Sequence, residues 1–234
     1  MNLSTLCLGS LLALTAGCAA NPGPHPAPSA AALPPAAVTK VQGDLYYFDH
    51  CAGCDRLLGT RGDPVVVVSD GRHLRFCERA CAAKFDGEAP ASMAKLDHAM
   101  IADQAPLYPV DHSIVSGRPL GPSPVEFIWG NRLIRVVDAP ERSQFLADPT
   151  GFVAALDQAT IEARWQGYPV IKCPVQGTRL EEEFNPKMAV VVAQRIIRVC
   201  CLDCAARVRE QPSHYLPLID LANRQAGIGR GKPE

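Results

Sequence analysis

The chain has 234 residues, 47% hydrophobic and 20% charged, with 23 Lys and Arg against 24 Asp and Glu for a net charge of −1. That apolar share supports a packed core and excludes a wholly disordered chain, and the balanced charge argues against nucleic acid as a partner. Aromatic residues make up 6%, too few for a platform that stacks bases or sugars, and ten cysteines and 21 prolines need an account.

Met1 to Gly17 carries no charged side chain, and Leu6 to Leu14 is an apolar run too short to span a bilayer but the size of a signal-peptide core. The run ends in Leu14-Thr15-Ala16-Gly17-Cys18, which resembles the lipobox of bacterial lipoproteins. That resemblance implies a signal peptide over 1–17, acylation of Cys18 as the mature N-terminus and anchorage to a membrane. Ala19 follows the Cys in place of Asp, which in that family implies an outer-membrane lipoprotein facing the periplasm. An ordinary secretory signal or a buried apolar segment is the alternative, since no Lys or Arg precedes the run and Thr15 stands where Leu is usual. No later segment has the roughly 18 apolar residues of a span. Residues 18–42 are rich in Pro and Ala without apolar periodicity, which predicts a disordered, semi-rigid tether in which His25 is solvated.

A repeat follows. Gly71-Arg-His-Leu-Arg-Phe-Cys77, Asn131-Arg-Leu-Ile-Arg-Val-Val137 and Gln194-Arg-Ile-Ile-Arg-Val-Cys200 align at offsets of 60 and 63 residues. Upstream, Tyr108 to Leu120 matches Tyr168 to Leu180, with Tyr46 to Leu58 a looser copy. In chain order the first unit reads as strand Val65 to Ser69, turn Asp70-Gly71, strand His73 to Cys77 and helix Glu78 to Phe85. The second reads as a hairpin over Phe127 to Val137, a helix Pro140 to Leu146 and a further helix from Asp148-Pro149. The third reads as a hairpin over Ala189 to Cys200 and a helix Leu202 to Arg209. The expected fold is therefore α+β: three small ββα units, over 43–105, 106–166 and 167–226, before a tail at 227–234 that, with Arg224, Arg230 and Lys232, is basic and frayed. Units of about 60 residues are marginal alone, so metal, disulfides or packing between units must add stability.

Outside Cys7 and Cys18, the cysteines fall four to unit 1 (Cys51, Cys54, Cys77, Cys81) and four to unit 3 (Cys173, Cys200, Cys201, Cys204). Unit 2 has none and carries Ser113, Val137 and Glu141 where unit 3 has Cys173, Cys200 and Cys204. The Cys-x2-Cys-x22-Cys-x3-Cys pattern of unit 1 offers two sulfurs from a knuckle and two from a helix start, which can close a tetrahedral thiolate site with Zn–S near 2.3 Å. The Cys54, Cys77 and Cys81 spacing resembles the TRASH/YHS heavy-metal-binding modules, and so do the Pro-Val-x-Gly approach and Cys-Cys-x2-Cys of unit 3. The resemblance implies a treble-clef-like fold, with roles in the trafficking, resistance or sensing of metals, and makes unit 2 a degenerate copy.

Two disulfides are the alternative in unit 1, because an exported compartment is oxidising. In unit 3, Gln176 stands at the second knuckle position. Adjacent Cys200 and Cys201 point to opposite sides of an extended chain, which leaves Cys173, Cys200 and Cys204 as a three-thiolate site. Cys201-Leu-Asp-Cys204 can instead be a redox dithiol. Thiolates suit zinc and Cu(I) alike, and four Met without a Met-rich run give no thioether copper site. His50 and His73 lie near the unit 1 cysteines as outer ligands or exposed side chains, whereas His98, His112 and His214 lack ligand spacing. Glu181-Glu182-Glu183 reads as a solvated face. No phosphate loop, His-Glu-x-x-His or Gly-x-Ser-x-Gly occurs, so a binding protein without catalysis is expected. A thiol–disulfide redox protein and a disulfide-stapled scaffold are the rivals.

Overall fold

The computed structural model describes residues 41–227. The expected signal peptide, Cys18 and most of the tether lie outside the described residues, as do Arg230 and Lys232.

Three antiparallel hairpins, each followed by two helices, make up the described chain. The first has β1 (Val65–Ser69), β2 (Arg72–Phe76), α1 (Arg79–Gly87) and α2 (Ala89–Gln104). The second has β3 (Val125–Trp129), β4 (Arg132–Val136), α3 (Ala139–Ala147) and α4 (Pro149–Trp165). The third has β5 (Ala189–Val192), β6 (Arg195–Arg198), α5 (Leu202–Glu210) and α6 (Pro212–Gln225). The fold is α+β, and the hairpins and first helices lie where the repeat predicts them. Sequence reading expected a second helix only in unit 2, yet α2 and α6 complete the other units. Each second helix has proline in its first turn, Pro90, Pro149 and Pro212, where its missing N–H costs no hydrogen bond. Arg224 lies in α6 and not in a frayed tail.

The two-residue hairpin turns need left-handed backbone, which matches strand twist. Asp70 and Gly71 supply it in unit 1 at φ 48° and 78°. Ala193 and Gln194 supply it in unit 3 at 48° and 62° without a glycine. Gly130 (φ 62°) has a second constraint, because a Cβ there would run into the Gln42 carbonyl. The chain entering unit 1 thus lies directly against the unit 2 turn.

A buried arginine starts the second strand of every hairpin, and each pairs with an aspartate 25 residues later on its unit's second helix. Arg72 meets Asp97, Arg132 meets Asp157 at 2.6 Å, and Arg195 meets Asp220 at 2.6 Å. Arg132, 2% exposed, also grips Asp44 through two bonds of 2.7 and 2.8 Å, and Arg195 grips Asp103 likewise at 2.8 and 3.0 Å. These pairs join units as well as helices. Gln104 of α2 donates to the Asn131 carbonyl and accepts from the Leu133 N–H, which seats α2 on the second hairpin. Ile161 and Trp165 of α4 pack on Ala189 and Ile196 of the third. Arg75 of β2 donates to Ser213 of α6 at 2.8 Å. One apolar cluster runs through units 1 and 3, from Leu74, Phe76 and Phe85 to Val190, Ile197 and Ile219, while Phe127, Ile134, Val136, Phe145 and Leu156 form a separate core in unit 2.

Candidate metal centres

The knuckle has one backbone design in all three units. Cys51, Ser113 and Cys173 each donate an N–H to the carbonyl five residues on, at 2.7–2.8 Å. Their own carbonyls accept from Asp55, Gly117 and Gly177, and all three of those residues have positive φ, 61–73°. Leu58, Leu120 and Leu180 close the loop through bonds of 2.8–3.0 Å to Asp49, Asp111 and Ile171. Tyr108 and Tyr168 tie the knuckle to the hairpin by accepting the N–H of Arg135 and Arg198. Positions 51, 113 and 173 are therefore equivalent, as are Cys54, Ser116 and Gln176. The helix contributes its third residue: Cys81, Glu141 or Cys204.

In unit 1, ligand atoms of Cys51, Cys54, Cys77 and Cys81 all lie within 4.8 Å of one another. Cys77 leaves the end of β2 before the N-cap Glu78, so it is not on the helix, and the Cys77–Cys81 pair converges from strand end and first turn. The Cys54–Cys77 and Cys77–Cys81 separations are 3.5 Å. A tetrahedron of sulfurs around zinc at about 2.3 Å has edges of about 3.8 Å. A disulfide needs about 2.05 Å, and all eight described cysteines are free thiols. The Arg56 N–H lowers Cys54 to about 7, while burial lifts Cys77 and pushes Cys81 up to about 12. A cluster of that kind holds protons that a metal ion must displace.

Unit 3 brings Cys173, Cys200 and Cys204 together within the same limit, with Cys200–Cys204 at 3.8 Å. Burial opposes the Cys173 thiolate, but backbone N–H groups of Gln176, Cys200 and Val175 lower it; burial raises Cys200 and Cys204. Gln176 Oε1 is 3.6 Å from Cys200 Sγ, so an amide oxygen stands where Cys54 stands in unit 1. Cys201 is outside the three-sulfur group, but the two neighbouring side chains do not diverge as expected: its sulfur lies 3.4 Å from Cys204 Sγ, nearer than that of Cys200, and it also interacts with Cys200.

Unit 2 fills the same space with a hydrogen-bonded carboxylate. Glu141 Oε2 accepts from Ser113 Oγ at 2.6 Å and from the Val137 N–H at 3.0 Å, and Oε1 accepts from Arg118 at 2.7 and 3.1 Å. The histidines near unit 1 bind protein groups. His73 Nδ1 accepts the Tyr46 N–H, and His50 lies between Asp49 and Asp55 at 3.1 and 3.2 Å.

Among the described residues these two cysteine groups are the ones whose ligand atoms converge as a metal site requires. They offer soft donors at metal-like spacing, closed with four thiolates in unit 1 and three-sided in unit 3. No family model, curated protein or solved structure matches the chain. No helix among the described residues is long and apolar enough to cross a membrane.

Proposed function

We propose that the chain is an exported lipoprotein, anchored through Cys18 to the outer membrane and facing the periplasm, that binds soft metal ions of the zinc or copper class. Its role is the trafficking, resistance or sensing of metals, by binding and without catalytic turnover. The observation that carries this reading is the convergence of four thiols in unit 1 from the knuckle, the end of β2 and the first turn of α1. Thiolates favour zinc and Cu(I) over hard cations. The shared knuckle and the unit 1 cysteine spacing support membership of the TRASH/YHS-like modules. Unit 1, with four thiolates, is the retentive site, and unit 3, with three and the Gln176 amide, is the exchangeable one.

Metal analysis combined with thiol counting on protein purified without reductant tests the proposal. Two ions per chain are expected, with the site thiols reactive after chelation, and Cys77→Ser removes one ion. A disulfide-stapled scaffold gives the opposite result: chelator exposes no thiol and only reductant does. Anchorage is tested separately, since Cys18→Ser is expected to abolish lipid labelling and release the protein from membranes. A variant that still sediments and labels sinks the anchor and leaves the metal reading intact.

A further inference from the structure

The N-cap of α5 is Cys201, where α1 has Glu78 and α3 has Asp138. Both carboxylates face arginine: Arg56 and Arg61 reach Glu78, and Arg118 reaches Asp138. Unit 3 has Thr178 at the position of Arg56 and Arg118, so both halves of that ion pair are exchanged and the cap becomes a thiol. Cys201 is extended (φ −159°, ψ 168°) and half-buried, and Cys204, the third residue of the helix, is 1% exposed. Cys201 is thus the more accessible of the two residues, with Cys204 behind it. Their separation of 3.4 Å is shorter than the 3.8 Å between Cys200 and Cys204. Closure to a disulfide of about 2.05 Å takes a movement of about 1.3 Å.

Cys204 therefore has two mutually exclusive partners, the ion and Cys201. We propose that Cys201 and Cys204 are a thiol–disulfide exchange pair, and that a reactant bearing a disulfide discharges the metal of unit 3 while unit 1 stays loaded. The inference rests on the metal reading of unit 3. The Cys201 thiolate attacks one sulfur of the incoming disulfide and expels the other as a thiolate. Cys204 then leaves the ion, attacks Cys201 Sγ and expels the second thiolate. Two protein thiolates are oxidised, one disulfide is reduced to two thiolates, and the ion keeps only Cys173, Cys200 and the Gln176 amide. The expelled thiolates are themselves soft ligands that can carry it away. Unit 1 has Glu78 at the cap, and its accessible thiol, Cys54, is itself one of the four ligands, so no thiol outside the ligand set stands beside its site.

The test uses the full chain loaded with zinc, oxidised glutathione as the probe disulfide, a chromogenic indicator for released zinc, and peptide mapping of the products. The expected result is release of one of two ions, two thiols lost per ion released, and a mapped Cys201–Cys204 bond. Cys201→Ser should still load two ions and release the second at least about tenfold more slowly, because the attacking thiolate that is not an ion ligand is gone. Release from Cys201→Ser at the wild-type rate, or mapped pairs that do not join Cys201 to Cys204, overturns the exchange pair. Formation of Cys201–Cys204 with both ions retained overturns the competition. Loading of a single ion, in unit 1, before the probe is added overturns the metal reading of unit 3 and so the discharge, and mapping still scores the dithiol separately.

Discussion

Glu141 occupies the helix position that Cys81 and Cys204 hold in the other units, and its carboxylate gathers the knuckle and the strand end that a metal ion would otherwise join. Burial alone would raise this carboxyl. Hydrogen bonds from Ser113 and Ser116, the Val137 N–H and Arg118 outweigh it and hold the group at about 2 against an ordinary 4.5. A depressed folded value means stability that is complete above the ordinary value and lost as pH falls from about 4.5 through about 2. Trp129 packs on the unit 2 core, so its fluorescence, read in a chain with Trp165→Phe because Trp165 lies against unit 3, reports on unit 2. Glu141→Gln is expected to cost about 1–3 kcal/mol at neutral pH in urea titrations and to flatten the acid limb. An unchanged acid limb would show that this carboxylate does not hold unit 2 together. The equivalence of Glu141 with the cysteines was legible from alignment. The role of Arg118 was not, because at its position unit 3 has Thr178 and the partner became visible only with the knuckle folded.

Hairpins and first helices were readable from turn chemistry and the repeat. The second helices of units 1 and 3 were missed, although two signals existed in the sequence. Pro90 and Pro212 mark first helical turns as Pro149 does, and an aspartate follows each strand arginine at 25 residues. The pairing joins a strand to a helix across an intervening helix, so it is a fold contact that periodicity does not register. Arg132 shows what these contacts hold. It is buried, grips Asp44 of the entering chain and Asp157 of α4, and the two carboxylates raise its pKa against the pull of burial. Arg132→Ala leaves two carboxylates facing each other and is expected to cost about 3–5 kcal/mol, whereas Arg132→Met with Asp44→Leu and Asp157→Leu recovers much of that, as buried ion pairs replaced as a set often do. Thermal unfolding of the three chains measures both. Equal losses in the single and triple variants would mean that the charge itself matters beyond pairing.

Packing between units changes what loss of metal should do. Sequence length alone makes each unit a marginal domain that leans on its ion, and on that basis emptying unit 1 would loosen unit 1. The structure runs a single apolar cluster through units 1 and 3, from Phe76 and Phe85 to Ile197, Leu216 and Ile219, and includes Cys51, Cys77, Cys173 and Cys204 in it. The thiols of both sites are thus part of one core, while unit 2 has its own core and a metal-free clasp. A structural thiolate site contributes on the order of 10–16 kcal/mol apparent at pH 7, much of it as folding energy. Withdrawal of that energy from a shared core must spread across it. Chelation is therefore expected to speed amide exchange in β1, β2, β5 and β6 together, with β3 and β4 protected longer. Cys77→Ser, which touches only the unit 1 site, should also raise exchange at Val190 and Ile197 of unit 3, and this cross-effect separates a shared core from independent beads. Acid should act in the same direction as chelator, since the thiols must lose protons to hold the ion and regain them as pH falls. Exchange confined to residues 43–105 in Cys77→Ser would show that units 1 and 3 are uncoupled despite the shared cluster.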